Sequence, residues 1–186
     1  MFQGWSHLAG KKWKPLSLMM KDYEVKAEDI PGFNEYTVAP NELPLQERLN
    51  VHHMAQVAYL RGIASDMLAD GLAEELASLD PRAEATREDR ERLTAEIAQM
   101  RSQALTDYSR AFTINYGAER GLALRSMLAA LRLLKKDPNY EENYTMQKEA
   151  HGIAMLFNTL SGGKLPAGLK PMLTPPVEPT EGEEEA

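Results

Sequence analysis

Apolar side chains recur at helical spacing in the middle of the chain. Between residues 87 and 115 they follow steps of three and four residues, which place them on one face of an α-helix. This row consists of Leu93, Ile97, Met100, Ala104, Tyr108 and Ala111, and it ends at Asn115. A longer segment, from about Pro44 to Leu79, repeats large apolar residues at similar spacing. Those residues are Leu45, Leu49, Leu60, Ile63, Met67, Leu72, Leu76 and Leu79. The pattern predicts two long helices.

Two further helices are predicted over 118–136 and 139–160. Leucine, methionine and alanine cover most of the circumference of the first of these, so we expect it to be buried against more than one neighbour, within the chain or in an oligomer. The residues expected to form this oligomer or core surface are Leu122, Leu124, Met127, Leu128, Leu131 and Leu134. Whether it continues the preceding helix through "TINYGAERG" stays open. Asn139 is the expected N-cap of the last helix, and "SGG" at 161–163 its stop.

These elements predict an all-α fold, an antiparallel bundle of about four helices, because the links at 80–86 and 137–139 are short. The helical domain is expected to span residues 45–161. An extended N-terminal arm, 1–44, would precede it, and a Pro-rich and then acidic tail, 162–186, would follow it. We expect the end of that tail to be disordered, because proline, glycine and glutamate cannot build a core.

The N-terminal arm is interrupted by prolines and glycines, yet it is rich in apolar residues. A disordered linker would hold fewer aromatic residues, so we expect the arm to dock on the chain's own helices or on a partner. The predicted docking residues are Trp5, Trp13, Leu16, Met19, Met20 and Phe33.

Charge is distributed unevenly in a chain with a net charge of -7. The first 26 residues are basic, whereas the body and the last sixteen residues are acidic, so the body offers no dominant surface for nucleic acid. The exception is "KKWK", where Lys11, Lys12 and Lys14 could contact phosphate while Trp13 stacks on a base. This gives an alternative function, a nucleic-acid-handling accessory factor of genome packaging, similar in role to a small terminase, in which the glutamate tail limits unproductive binding.

Localisation is predicted from what the composition lacks. The chain has no cysteine, which excludes disulfides and Cys-type zinc sites. No stretch of eighteen apolar residues predicts a membrane span, and the N-terminal residue order does not fit a secretory signal. We therefore expect a cytoplasmic protein, or one incorporated in a particle assembled there, with no membrane partner.

Catalytic and metal-binding patterns are weak. His52 and His53 are adjacent and point to different sides of a helix, and no Glu-x-x-His motif of a di-metal bundle occurs. "LSGGKLP" lacks the spacing of a phosphate loop. The chain is therefore predicted not to be an enzyme and to have no catalytic, metal or cofactor site. A metal-dependent helical enzyme using His52, His53 or His151 is the second alternative.

The leading hypothesis is a non-enzymatic helical subunit of a homo-oligomer or larger assembly. Its motivation is the apolar helix 122–134, the apolar row of 93–112 and the Trp- and Met-rich arm. In general organisation alone, a helical body with an extended arm and an acidic tail resembles small viral or phage assembly proteins. The hypothesis implies protein partners, either further copies of the chain or other assembly subunits.

Overall fold

The computed structural model describes residues 45–81, 83, 86–115 and 120–178. These ranges contain four α-helices, one 3-10 helix and no strand, so the all-α prediction is confirmed for them. The elements are α1 (Leu45–Ser78), α2 (Arg87–Asn115), α3 (Arg120–Lys136), α4 (Tyr144–Ser161) and a 3-10 helix (Ala167–Leu173). The chain divides into two compact units between Ser126 and Met127, within α3. The predicted docking residues of the arm and its three lysines lie outside the described residues.

Helices α1 and α2 pack against each other. They have 34 and 29 residues, and only residues 79–86 join them, so they form an antiparallel hairpin. The hydroxyl of Thr86 donates to the carbonyl oxygens of Asp80 and Ala83, each at 2.9 Å, which ties the connection to the start of α2. Charged side chains of the first turns of α2 are exposed and pair along the helix, as Arg87 does with Glu91 at 3.1 Å.

The buried face of α1 differs from the predicted one. Leu60 is buried as expected, whereas the other predicted residues with described side chains are only half-buried: Ile63, Met67, Leu72, Leu76 and Leu79. The other buried positions of the helix are small, apart from Val57: Ala55, Ala58, Gly62, Ala64, Ser65 and Ala69. The close approach to α2 is seen at Gly62, where the ring of Tyr108 lies against the helix and a Cβ atom would collide with it.

The buried face of α2 follows the predicted row. Leu93, Ile97, Ala104, Tyr108 and Ala111 are buried, and Met100 is half-buried. The described part of α2 ends at Asn115 and α3 begins at Arg120. Residues 116–119, on which the continuity of the two helices depends, lie outside the described residues.

Helix α3 buries its apolar residues within the chain. Of the six predicted positions, Leu122, Met127, Leu131 and Leu134 are buried, and Leu124 and Leu128 are half-buried. The exposed positions carry every charge of the helix, and all five are basic: Arg120, Arg125, Arg132, Lys135 and Lys136.

Helix α4 begins later than predicted. The expected cap at Asn139 is wrong, because residues 138–142 form turns, in which the amide of Asn139 donates to Oδ1 of Asp137 at 2.9 Å. Asn143 is the N-cap, and its side chain accepts from the amide of Met146 at 3.0 Å. The predicted stop is confirmed: Gly162 adopts the left-handed conformation, with φ 67° and ψ 44°, that ends many helices.

The beginning of the predicted tail belongs to the second unit. Residues Ala167–Leu173 form the 3-10 helix, which packs on α4. Leu165, Leu169 and Met172 are buried. Apolar residues at steps of four and three residues therefore form part of the core here, despite the neighbouring prolines.

Candidate functional site

A cleft of about 350 Å³ opens in the second unit. Its walls come from the end of α3, the turns before α4, the first half of α4, the 3-10 helix and the extended residues that follow. The lining residues are Lys135, Tyr140, Glu141, Gln147, Gly168, Pro171, Met172, Thr174, Pro175, Pro176 and Val177. We refer to it as the C-terminal cleft. Its volume lies at the lower end of the range of about 300–1,000 Å³ that is typical of ligand pockets.

Three side chains hold the walls of the cleft in place. The side-chain amide of Gln147 donates to the carbonyl oxygens of Tyr140 and Glu141, at 3.1 and 2.8 Å, which fixes the turns against α4. Nζ of Lys135 donates to the carbonyl oxygen of Gly168 at 2.8 Å, and Nδ1 of His151 lies 3.0 Å from the carbonyl oxygen of Met172. The shape is thus fixed by contacts between elements, as a preformed binding site requires.

The lining of the cleft combines apolar and charged groups. Partial burial, together with the carboxylate of Glu141, raises the pKa of the Tyr140 phenol, so the hydroxyl stays protonated and able to donate at neutral pH. Val177 at the rim is 90% exposed, so its side chain is open to contact. An apolar rim with one ammonium group and several hydrogen-bonding groups suits a short peptide segment better than a bare ion.

The end of α3 adds positive charge beside this cleft. Arg132, Lys135 and Lys136, which we call the basic end of α3, are exposed within one turn of helix, and Lys135 also lines the cleft. Its ammonium group has three donors, of which the carbonyl of Gly168 uses one. This surface can accept a carboxylate or a phosphate.

A buried carboxylate in the α1–α2 hairpin is the other unusual polar group. The side chain of Asp107 is 1% exposed. Its Oδ2 lies 3.4 Å from Nε of Arg61 and accepts a hydrogen bond of 3.1 Å from the side-chain Nε2 of Gln103. Burial raises the pKa of the Asp107 carboxyl, and the neighbouring Arg61, Gln103 and Arg110 offset part of that rise. A solute reaches this carboxylate only if the helices separate, so we interpret the cluster as part of the packing of the hairpin.

Tyr108 lies next to this cluster and is also buried. Its ring fits against Gly62 of α1, and its centroid lies 6.1 Å from that of Tyr59. Burial, the largest cause, and a hydrogen bond to Asp66 raise the pKa of the Tyr108 phenol far above its ordinary value. A phenol that stays protonated at any physiological pH acts here as a donor inside the hairpin.

The three histidines of the alternative enzyme hypothesis, His52, His53 and His151, lie in different surroundings. The side chains of His52 and Gln56 interact through their nitrogen atoms, and the ring of His53 lies 6.2 Å from that of His52. His151 contacts the 3-10 helix instead. Within the described ranges, no three His, Cys, Asp or Glu side chains form a group suited to a metal ion.

The sequence places Pro175, Pro176 and Val177 in the predicted tail, and Lys135 in the predicted helix 118–136. The available signal was the spacing of Leu165, Leu169 and Met172, which indicates packing up to the edge of those prolines. The sequence pattern alone does not predict that Lys135 lies next to these prolines.

Among the helices of the described part, none combines the length and apolar content needed to cross a membrane. Comparison of the chain with protein-family models, with curated proteins and with solved structures finds no match in any of the three.

Proposed function

We propose that the chain is a non-enzymatic helical subunit of a homo-oligomer or larger assembly, and that the C-terminal cleft receives an apolar segment of a neighbouring subunit. The observation that supports this most directly is the preformed cleft with the exposed Val177 at its rim. Protein contacts often consist of an anchor side chain of one partner that fills a pocket of the other.

The predicted arm supplies anchors of the right kind for such a contact. Trp5 and Trp13 are the only two tryptophans of the 186 residues, and both lie in the arm. Aromatic anchors that fill a pocket each contribute about 2 kcal/mol or more to binding in known interfaces. We propose that the arm of one copy, or a similar segment of another subunit, docks at the cleft.

The position of both tryptophans makes a selective experiment possible. With excitation of tryptophan alone, fluorescence of the intact chain reports on the arm. We expect the emission to shift to shorter wavelength as protein concentration rises, because the rings leave water when the arm docks on another copy, and the mass measured by light scattering to rise over the same range.

The control variants separate the proposed contact from other causes. Val177→Asp and Met155→Asp each place a charge at a large exposed apolar position, but only Val177 lines the cleft. The first should abolish the concentration dependence and the second should preserve it. A chain that remains monomeric at tens of micromolar, with emission independent of concentration, would contradict docking between copies.

A nucleic-acid-handling accessory factor is the second candidate, and helix α3 favours it. All five of its charged residues are basic and exposed, although the whole chain is acidic. Binding of labelled DNA should then weaken steeply with salt, because each phosphate contact releases a counterion. Two variants tell whether the arm or the helix binds the DNA: Lys11, Lys12 and Lys14 changed together to Gln, and Arg132→Gln/Lys136→Gln. No binding at low salt would exclude both.

Several finer expectations belong to the same proposal. They are the antiparallel bundle of about four helices, a cytoplasmic or particle-bound location, and the general resemblance to viral or phage assembly proteins. The metal-dependent helical enzyme stays the weakest prediction, and metal analysis of the purified protein tests it.

A further inference from the structure

Two adjacent residues of α2 contact two adjacent residues of α1. Oδ2 of Asp107 lies 3.4 Å from Nε of Arg61, and the ring of Tyr108 fits against Gly62. In the described part of the chain, Asp107 is also the only charged side chain that is buried. We call Arg61–Gly62 on α1 and Asp107–Tyr108 on α2, taken together, the register contact.

The other buried positions of the hairpin repeat every seven residues. On α1, small residues follow steps of three and four on the face of Gly62, which is turned to α2: Ala55, Ala58, Gly62, Ser65 and Ala69. On α2, Asp107 occupies one position of an apolar row with the same period, whose other members are Leu93, Ile97, Met100, Ala104, Ala111 and Ile114. Two such rows face each other again after one helix slides by seven residues. The rows alone therefore permit more than one register.

A slide by seven residues would remove the arginine from Asp107. The α1 residues seven positions before and after Arg61 carry no charge: Met54 and Leu68. Gln103 and Arg110 also lie beside the Asp107 carboxylate, but they belong to α2 and move with it. They therefore do not distinguish one register from another. A buried carboxylate that loses its partner on the other helix is strongly disfavoured, so the charge of Asp107 selects the register that contains Arg61.

The same slide would bring an alanine against the ring of Tyr108. The residues seven positions from Gly62 are Ala55 and Ala69. A Cβ atom at the Gly62 position would lie 2.7 Å from two carbon atoms of the ring, and both alanines carry that atom. The ring is 2% exposed and has little room to move. Shape and charge therefore select the same register independently.

We propose that the register contact sets the alignment of α1 and α2. The apolar and small residues of the two rows supply burial in any of the registers that differ by seven residues, whereas Arg61–Gly62 fits Asp107–Tyr108 in one. Single polar residues at core positions of coiled coils fix the register in the same way, at a cost in stability. The inference does not rest on either proposed function.

The distance between two spin labels measures the register in the intact chain, which has no native cysteine. Glu74→Cys on α1 and Thr113→Cys on α2 introduce the labels at exposed positions. A slide by seven residues changes their separation along the helix axis by about 10 Å, because each residue advances about 1.5 Å. Labelled chains are diluted with unlabelled ones, so that distances within one chain are measured by double electron–electron resonance. The native register contact should give one distance.

The first variant removes the contact. Arg61→Met/Asp107→Leu/Tyr108→Leu lacks the charge and the ring, so we expect a second distance that differs from the first by about 10 Å. The matched control is Arg92→Met/Glu96→Leu, which removes an ion pair of 3.0 Å within α2 and should keep the single native distance. The native distance alone in the first variant, or a second distance in the control as well, would overturn the proposal.

The second variant moves the contact along α1. Met54→Arg/Ala55→Gly, combined with Arg61→Met/Gly62→Ala, places the arginine and the glycine seven positions earlier. In an antiparallel hairpin this brings residues 54 and 55 to Asp107 and Tyr108, so the labels should move apart by about 10 Å. A lengthened distance supports the proposal, and the unchanged native distance would overturn it.

Discussion

The contact between Gly62 and Tyr108 gives the sharpest test of the α1–α2 hairpin. A Cβ atom added at Gly62 would lie 2.7 Å from both Cδ1 and Cε1 of the Tyr108 ring and 3.2 Å from its Cγ. Favourable contacts between carbon atoms lie at about 3.5–4.0 Å, so the ring or the helix would have to move by close to 1 Å. We therefore predict that Gly62→Ala strains the core of the hairpin.

The ring of Tyr108 has little freedom to make room. It is 2% exposed, and its hydroxyl is hydrogen-bonded to Asp66. Added volume in a close-packed core costs about 1–3 kcal/mol. Alanine in place of glycine within a helix contributes about 0.8–1 kcal/mol in the opposite direction. The net effect of Gly62→Ala is therefore a loss of about 0–2 kcal/mol in the free energy of unfolding.

Gly71 in the same helix provides the matched control. It is exposed, and a Cβ atom added there meets nothing within 4 Å. Gly71→Ala should stabilise the fold by up to about 1 kcal/mol through helix propensity alone. Because the propensity term is common to both variants, the difference between them isolates the strain, about 1–3 kcal/mol.

The assay is urea unfolding followed by far-UV circular dichroism, with midpoints compared at equal slope. Tyr108→Val removes the two ring atoms nearest to Gly62, so in that background Gly62→Ala should become stabilising, as Gly71→Ala is. This reversal is a coupling between residues in contact. Equal stabilisation by Gly62→Ala and Gly71→Ala in the native background would refute the close approach of the helices at this point.

Two other predictions concern ionisation and helix ends. Because burial raises the folded-state pKa of Asp107 above its unfolded value, its contribution to stability is present at low pH and is lost as pH rises through the folded pKa. Urea midpoints across pH 4–7 should show this loss of stability in the native chain but not in Asp107→Asn. Arg61→Met should extend the loss to higher pH. Parallel curves of midpoint against pH for the native chain and Asp107→Asn would contradict the prediction. Gly162→Ala should destabilise the fold by about 1 kcal/mol, because the φ of Gly162 is 67°. Gly152→Ala, within α4, should not destabilise it, because a Cβ atom added there meets nothing within 4 Å. Thermal unfolding of the two variants checks this, and equal effects would exclude the left-handed cap.

Helix positions were predictable because the signals for them are local. The apolar row of α2 and the glycine pair after α4 depend on residues within a few positions of each other, and both predictions are confirmed. The start of α4 was not predicted correctly, because two asparagines can each cap the helix. Asn139 has a glutamate three residues later, but Asp137 holds it in a turn, and Asn143 caps the helix instead.

The contacts between helices were less accessible to sequence reasoning. Apolar residues surround much of α1, and the large ones suggested a buried face. The residues that are buried are mostly alanines, and Gly62 makes the close contact with Tyr108. The burial of Asp107 depends on Arg61, which lies on the other helix of the hairpin. Its approach is set by the register of the two helices, which depends on contacts between residues far apart in the sequence and has no local signal.

The C-terminal cleft shows the same dependence on distant contacts, and it changes the interpretation of the tail. Burial of Leu169 and Met172 anchors the beginning of the segment that composition alone had assigned to the tail. Lys135 and the residues that follow the 3-10 helix therefore line one cleft, and the bond from Lys135 to the carbonyl oxygen of Gly168 joins residues 33 positions apart. A local pattern of apolar and polar residues gives no signal for a contact over that separation.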